Sequence, residues 1–260
     1  MGRRCRSLGL NRRGSGRACV RHLLLDLDAP LMSFGGDMVD AYGVVRDFPA
    51  KSMVAGLLAN ALGWERHDAD AHARLQERLV MGSARAGEGR RVRDFQTAQL
   101  GGGDRGWTTR GRVEGRTGGA ATYLSPHIRY RDADADARVL VALYLEHGGE
   151  EPTLDTLADA LDRPERPLFL GRKPFLPSRP VRLGFVDTGT IRAALIAGLA
   201  LLTDMPDDDA PVRAQWPHAE GLAGNAREEE LTDERHWPAG VHAGLRRVAE
   251  GDITRPGAAA

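Results

Sequence analysis

The alternation of apolar and polar positions divides the chain into a short series of strands and helices. In residues 22–28, HLLLDLD, the side chains of Leu23, Leu25 and Leu27 recur at period two, the spacing of a strand with one side on a core, and Ala29-Pro30 ends it. Ser52 is placed to cap a helix whose stripe is Met53, Leu57, Leu58, Ala61 and Leu62, with Gly63 as its stop. A second helix is expected over residues 71–79 and a strand over 91–99, RVRDFQTAQ. Residues 138–146, RVLVALYLE, are apolar on both faces, as a central strand is. Thr153 then caps a helix carrying Leu154, Leu157, Ala158 and Leu161 on one side and ending near Pro164. A proline-rich run over 164–180 leads to a strand at 181–186, and IRAALIAGLALL at 191–202 reads as a buried helix.

The order strand, helix, strand, long excursion, strand, helix is that of an α+β, ferredoxin-like (RRM-like) domain with an insertion. The expected organisation is a basic, disordered tail at 1–20, a ferredoxin-like domain at 21–165 interrupted at 100–126, and a C-terminal extension at 166–260 with a Pro-rich and β-rich start. No internal repeat is visible.

With 260 residues, 42% of them hydrophobic, the chain can bury a sizeable core. No apolar run approaches the roughly 20 residues needed to span a bilayer. The tail MGRRCRSLGLNRRGSGRACVR is basic but lacks the apolar stretch of a secretory signal, so a cytoplasmic protein is expected, with no membrane partner. Cys5 and Cys19 supply neither a disulfide framework nor a Cys-x-x-Cys metal spacing and read as free thiols. The 36 basic and 36 acidic residues cancel, but lysine occurs only at Lys51 and Lys173. Nearly all positive charge is therefore arginine, whose planar fork suits phosphate and whose plane stacks on bases.

The stretch LGGGDRGWTTRGRVEGRTGGAATYLSPHIRYR, residues 100–131, raises the question of chemistry. Gly101, Gly103 and Gly106 match G-x-G-x-x-G literally, yet no helical stripe follows, so a dinucleotide site is rejected. Neither lysine is preceded by glycine, which excludes a P-loop, and no G-x-S-x-G elbow occurs; no cofactor is expected. His67 and His72 are five apart, His236 and His242 six apart, with no cysteine nearby, so no metal site is assigned. Tyr123, His127 and Tyr130 are parts from which metal-free phosphodiester cleavage could be built, and equally parts of ordinary packing. Arg105, Arg110, Arg112 and Arg116 with Trp107 fit either an RNA grip or a surface loop.

Four segments in order narrow the choice: APLMSFG at 29–35, RDFPAKSMVAGLLANALG at 46–63, RVRDFQTAQ at 91–99 and PLFLGRKPFLPSRPV at 167–181. With SPHIRYRDADADARVLVAL and the late RHWPAGVHAGLRRV, the chain resembles the CasD subunits of type I-E CRISPR Cascade, members of the repeat-associated RNA-binding superfamily, over most of residues 21–248. The resemblance implies a non-catalytic subunit that holds the 5′ handle of CRISPR RNA. The 100–126 insertion would be a β-hairpin thumb reaching toward a CasC-type backbone subunit, with a large CasA-type subunit as a further partner. It places Ser33, Phe34, Arg46, Lys51, Ser52, Arg172 and Lys173 among the RNA-binding candidates, beside Arg105, Trp107, Arg110, Arg112 and Arg116 of the thumb. Ion pairing with acidic neighbours is the alternative for the charged ones. Phe34, where many relatives have Trp, would keep an aromatic surface, and DADADARV at 132–139 replaces a more apolar run and would be more solvated. The competing function is a metal-independent endoribonuclease that processes precursor RNA. Sister proteins of another CRISPR subtype do this with a Tyr, Lys and His set, but no lysine adjoins a histidine here.

Overall fold

The computed structural model describes residues 19–36, 41–98, 106–107, 113–114, 127–204 and 210–256, the two short pairs by backbone only. The chain begins with β1 (Val20–Asp28), β2 (Leu31–Met32), β3 (Phe34–Gly35), β4 (Tyr42–Gly43) and β5 (Val45–Arg46), then α1 (Lys51–Ala61) and α2 (Ala69–Arg78). Next come β6 (Leu79–Gly87), β7 (Arg90–Ala98), β8 (Gly106–Trp107), β9 (Val113–Glu114), β10 (His127–Ala135), β11 (Arg138–Leu145) and α3 (Leu154–Asp162). The remainder is β12 (Arg182–Thr188), α4 (Ile191–Leu199), β13 (Val212–Pro217), β14 (Arg227–Leu231), β15 (Arg235–His236), β16 (Val241–His242) and β17 (Arg246–Ile253). The architecture is mixed α/β, with mostly antiparallel sheets and, among the described residues, four α-helices.

A seven-stranded sheet of order β12-β1-β11-β6-β13-β17-β14 forms the centre. The strands over 182–253, expected as an extension, contribute β12, β13, β17 and β14 to it. Both faces are buried. Leu23, Leu25 and Leu27 of β1 and Val139, Val141 and Leu143 of β11 pack with Val54 and Leu58 of α1, Leu75 of α2 and Leu157 of α3. On the other face Leu24, Leu140 and Ala142 meet Ile191, Ala194, Leu195 and Leu199 of α4. Asp26, on that second face of β1, is held by a two-pronged pair from Arg138 at 2.9 and 2.6 Å.

Thr153 caps α3 as expected, its side chain accepting from Thr156 N. The start of α1 differs from expectation: Ser52 lies inside the helix, and no side chain caps it at Ala50. Asp233 serves instead, its Oδ2 accepting from Lys51 N at 3.1 Å and its carbonyl from Ser52 N at 3.0 Å. Cys19, expected as a free thiol, carries a disulfide bond whose other half lies outside the described residues.

From β6 and β11 the chain runs out into a second sheet, in which β7 and β10 pair antiparallel over nine residues each. The other edge of β10 takes β2 and, in parallel, β4. The run DADADA was expected to be solvated, but Asp132 and Asp134 are buried. They survive burial because each meets arginine: Arg93 Nε lies 2.7 Å from Asp132, and Arg91 Nε at 2.7 Å and the buried Arg85 at 3.2 Å reach Asp134. The hairpin thus begins near Arg90. Of the 100–126 stretch, the described parts are β8 and β9, which pair antiparallel, Gly106 opposite Glu114; Arg105, Arg110, Arg112, Arg116 and Tyr123 lie outside the described residues.

Candidate nucleic-acid interface

At the foot of this hairpin, where β4, β10, α1 and the 170–172 and 235–242 segments meet, is a cavity of about 350 Å³. Arg131, Arg172, Arg235 and His242 line it, its remaining walls include Gly35, Gly36, Gly43 and Gly171, and among the described residues no Asp or Glu does. The backbone requires one of these glycines. Gly171 has φ +97°, and a Cβ there would lie 1.8 Å from the Ser33 carbonyl oxygen. That close crossing is pinned by Ser33 N donating to Leu170 O at 3.1 Å, and it delivers Arg172 to the cavity wall. Arg172 Nη2 donates to the Asp132 carbonyl at 2.9 Å. Burial, and then the positive charge of Arg131, push the Arg172 guanidinium below its ordinary value. Arg235 is lowered likewise by burial and then by Arg66. Its backbone is clamped by Gln76, which donates to Arg235 O at 3.1 Å and accepts from Arg235 N at 3.0 Å. Pairing of β15 with β16 sets His242 opposite Arg235. Guanidinium groups brought together in this way, with no carboxylate among the described lining residues, favour an anion whose oxygens can accept several charge-assisted hydrogen bonds.

The hairpin carries a different chemistry on each face, as period-two alternation dictates. One face has, in cross-strand pairs, Arg91–Asp134, Arg93–Asp132, Phe95–Tyr130 and Thr97–Ile128. Tyr42 of β4 stacks on Tyr130 with ring centroids 5.0 Å apart and planes 13° from parallel. Phe95 joins them at 5.5 Å, and the Arg93 guanidinium lies 5.7 Å from the Tyr42 ring. Tyr42, Phe95 and Ile128 are exposed. The Arg93 hydrogen bond holds the Asp132 carboxyl below the usual carboxylate range. The opposite face bears His127, Arg129 and Arg131, in register with Ala98, Gln96 and Asp94.

The family model described as "CRISPR-associated protein (Cas_Cas5)" matches residues 22–249, a span that contains the whole hairpin and every residue lining the cavity. The chain belongs to the CRISPR-associated Cas5 family. Among solved structures it is similar to a chain of a "CRISPR RNA-guided surveillance complex", with a TM-score of 0.62 and 20% identity over 90% of this chain and 91% of that one. It also matches "Crystal structure of Cas protein", at TM-score 0.48 and 24% identity over 90% of this chain and 95% of that one. No curated protein matches the chain.

Within this Cas5 family member, the residues singled out from the sequence are placed differently. Ser33, Ser52 and Arg172 line the cavity, and Lys173 is exposed beside it. Arg46 and Lys51 are engaged elsewhere: Arg46 Nη2 donates to Thr232 O at 3.0 Å, and Lys51 Nζ pairs with Glu234 at 2.8 Å. Arg46 thus ties β5, and Lys51 the start of α1, to the 232–234 segment. Phe34 is fully buried, which corrects the expectation that its ring offers an aromatic surface. Trp107 lies on β8, where the backbone alone is described. Arg131, Arg235, Tyr42, Phe95 and Arg93 were not singled out, and His242 was weighed only as a metal ligand and set aside. A period-two reading of RVRDFQTA and HIRYRDADA in register would have found the aromatic face, but nothing local marks Arg235 or His242.

Among the described residues no group of three or more His, Cys, Asp or Glu side chains could hold a metal ion, and no helix is long and apolar enough to cross a membrane.

Proposed function

We propose that the chain is a non-catalytic, CRISPR RNA-binding subunit of a Cascade-type surveillance complex in the cytoplasm. In this reading it holds the 5′ handle of the RNA at the arginine-lined cavity and meets a CasC-type backbone subunit through the 100–126 thumb, with a large CasA-type subunit as neighbour. The observation that carries the reading is the cavity itself: Arg131, Arg172 and Arg235 on a wall rich in glycine, with no carboxylate among the described lining residues. Glycine lets a phosphate approach the backbone, and arginine forks match its oxygens. The Tyr42, Tyr130 and Phe95 rings, on the other face of the hairpin from Arg131, supply a platform on which unpaired bases stack. Family membership and the fold shared with a surveillance-complex chain support it. The order β12-β1-β11-β6, with α1–α2 between β1 and β6 and α3 between β11 and β12, supports a ferredoxin-like core.

His127 and Tyr130 sit three residues apart on β10 and therefore face opposite sides of the hairpin, so they form no acid–base pair. His242 does line the cavity, and it is the histidine through which a nuclease would show itself. The expected outcome is that the chain purified with its genomic neighbours will carry short RNAs sharing one 5′ end, and that repeat RNA incubated with the isolated chain in chelator will stay intact. Specific cleavage that disappears in His242→Ala would establish the endoribonuclease instead, and absence of both RNA and partners would remove the subunit reading.

A further inference from the structure

Beside the arginine-lined cavity is a second one of about 290 Å³, walled by Met53, Leu57, Asn60, Phe169 and Trp237 and bordered by Gly56. The two share walls at Ser52, Met53, Gly171 and Arg235, which makes them immediate neighbours. At the lower end of the roughly 300–1,000 Å³ typical of ligand pockets, the second cavity accommodates one ring system rather than a large ligand.

Features of this slot have no explanation in the packing of the fold. Gly56 lies in the middle of α1, where glycine is the weakest former after proline. A Cβ there would meet only Trp237 Cη2 at 3.7 Å, an ordinary contact, so sterics do not demand glycine. What it preserves is open space over the helix. The Nε1–H of Trp237 is buried without a partner among the described residues, while its ring is fixed between His72, at 4.5 Å, and the Arg235 guanidinium, at 5.5 Å. Asn60 donates Nδ2 to Pro167 O at 3.0 Å, which leaves its Oδ1 to accept. Apolar and aromatic walls with the Trp237 donor and the Asn60 acceptor, beside Ser52 and Arg235, therefore adjoin a site for an anion. A nucleotide has these parts in this arrangement: a flat base with donor and acceptor on its edge, one sugar away from a phosphate.

We infer that the slot between α1 and the 169–171 and 235–237 segments receives a single unstacked nucleobase of the bound RNA, with its phosphate on Arg131, Arg172 and Arg235. The inference rests on the RNA-binding reading above and adds to it a base-reading pocket distinct from the Tyr42–Tyr130 platform.

The test is equilibrium binding of the full chain to oligoadenylate, oligocytidylate and oligouridylate and to an abasic ribose–phosphate oligomer of equal length. The parent binds at least one base-bearing oligomer about tenfold or more tightly than the abasic one, the order expected for one stacked base. Gly56→Leu fills the slot from an unstrained helical position and loses most of that preference, while its affinity for the abasic oligomer and its unfolding temperature hold. Gly56→Ala, whose Cβ fits, keeps the preference. Asn60→Ala, which removes the acceptor alone, reduces it by a smaller factor and serves where Gly56→Leu folds poorly. A preference that is the same in Gly56→Leu and Asn60→Ala as in the parent overturns the slot while leaving RNA binding in place. Equal binding of all oligomers by the parent does the same. A parent that binds none of them overturns the functional reading and the slot with it.

Discussion

The two largest sheets among the described residues are covalently continuous, β6 running into β7 and β10 into β11, yet they cohere by different physics. In β1 and β11 both faces are apolar, with Leu23, Leu25, Val139 and Val141 on one side and Leu24, Leu140 and Ala142 on the other, all fully buried. In β7 and β10 the cross-strand partners are Arg91–Asp134, Arg93–Asp132 and Phe95–Tyr130, with Phe95 56% exposed. Apolar burial is non-directional and holds a fold together without offering anything for a polar ligand to read. Ion pairs, forks and exposed rings hold less, but they are what a polyanion with unstacked bases recognises. Apolar burial is thus concentrated in the central sheet, while the groups to which the proposed function assigns recognition lie in the hairpin and the cavity at its foot, and the buried Arg85–Asp134 pair joins the two.

The strongest way to break this comparison is to truncate one aromatic side chain in each region. Trp216 of β13 is fully buried, packs among the residues under α4, and donates Nε1–H to Gly221 O at 3.0 Å. Trp216→Ala should cost about 3–5 kcal/mol of global stability, the range for removing a buried aromatic side chain. Phe95→Ala, in an exposed cross-strand pair, should cost roughly 0.2–1 kcal/mol. Denaturant unfolding of both variants measures the difference, and comparable losses would mean that the hairpin is part of the cooperative core.

What the sequence made legible follows the same division. Elements held by their own periodicity were readable: the Leu23, Leu25, Leu27 alternation gives β1, and the Leu154, Leu157, Ala158, Leu161 stripe gives α3 with Thr153 as its cap. Features that depend on a distant partner were not. Asp132 and Asp134 look like solvated charge until β7 supplies Arg91 and Arg93, some forty residues earlier, in register. The start of α1 draws its cap from Asp233, 182 residues beyond Lys51. Lys51 and Arg46 show a charge in the sequence but not the Glu234 and Thr232 groups that occupy them. The cavity is assembled from six stretches of chain, so its arginines carry no local signature, and the one glycine of the LFLGRKPF run points to it only once its contact with Ser33 is known.

The comparison is sharpened by reversing charge in the cavity. Arg131 is exposed and Arg172 half-buried, its Nη2 donating to the Asp132 carbonyl rather than to a carboxylate. Arg131→Glu and Arg172→Glu should each weaken RNA binding by about tenfold or more, corresponding to one charge-assisted hydrogen bond of about 1.5–3 kcal/mol. Each should also reduce the slope of log affinity against log salt by about 1. Arg131→Glu should leave the unfolding midpoint within roughly 0.5 kcal/mol, as surface substitutions usually do. Titrations at several salt concentrations, with circular dichroism melts alongside, decide it. A loss of affinity with an unchanged salt slope would mean that these arginines do not touch phosphate.

The smallest expected effect concerns Lys51, which belongs to the same stretch of sequence as the cavity wall but to the structural half of the molecule. Its side chain is only 10% exposed and its ammonium meets Glu234, itself 32% exposed, at 2.8 Å. Lys51→Met keeps the aliphatic stem in place and removes the charge. Glu234 is exposed enough to recover solvent, so the cost should stay within about 1 kcal/mol, as for other ion pairs that water can reach. RNA affinity and its salt dependence should not change, because the charge removed is already neutralised by a carboxylate and faces the 232–234 segment rather than the cavity. Arg172→Met, the matched change on the wall, should lower affinity under the same conditions. Binding isotherms for the two methionine variants measured side by side provide the check. Equal losses in both would show that the RNA responds to total positive charge near α1, and the separation of a structural lysine from a recognition arginine would fail.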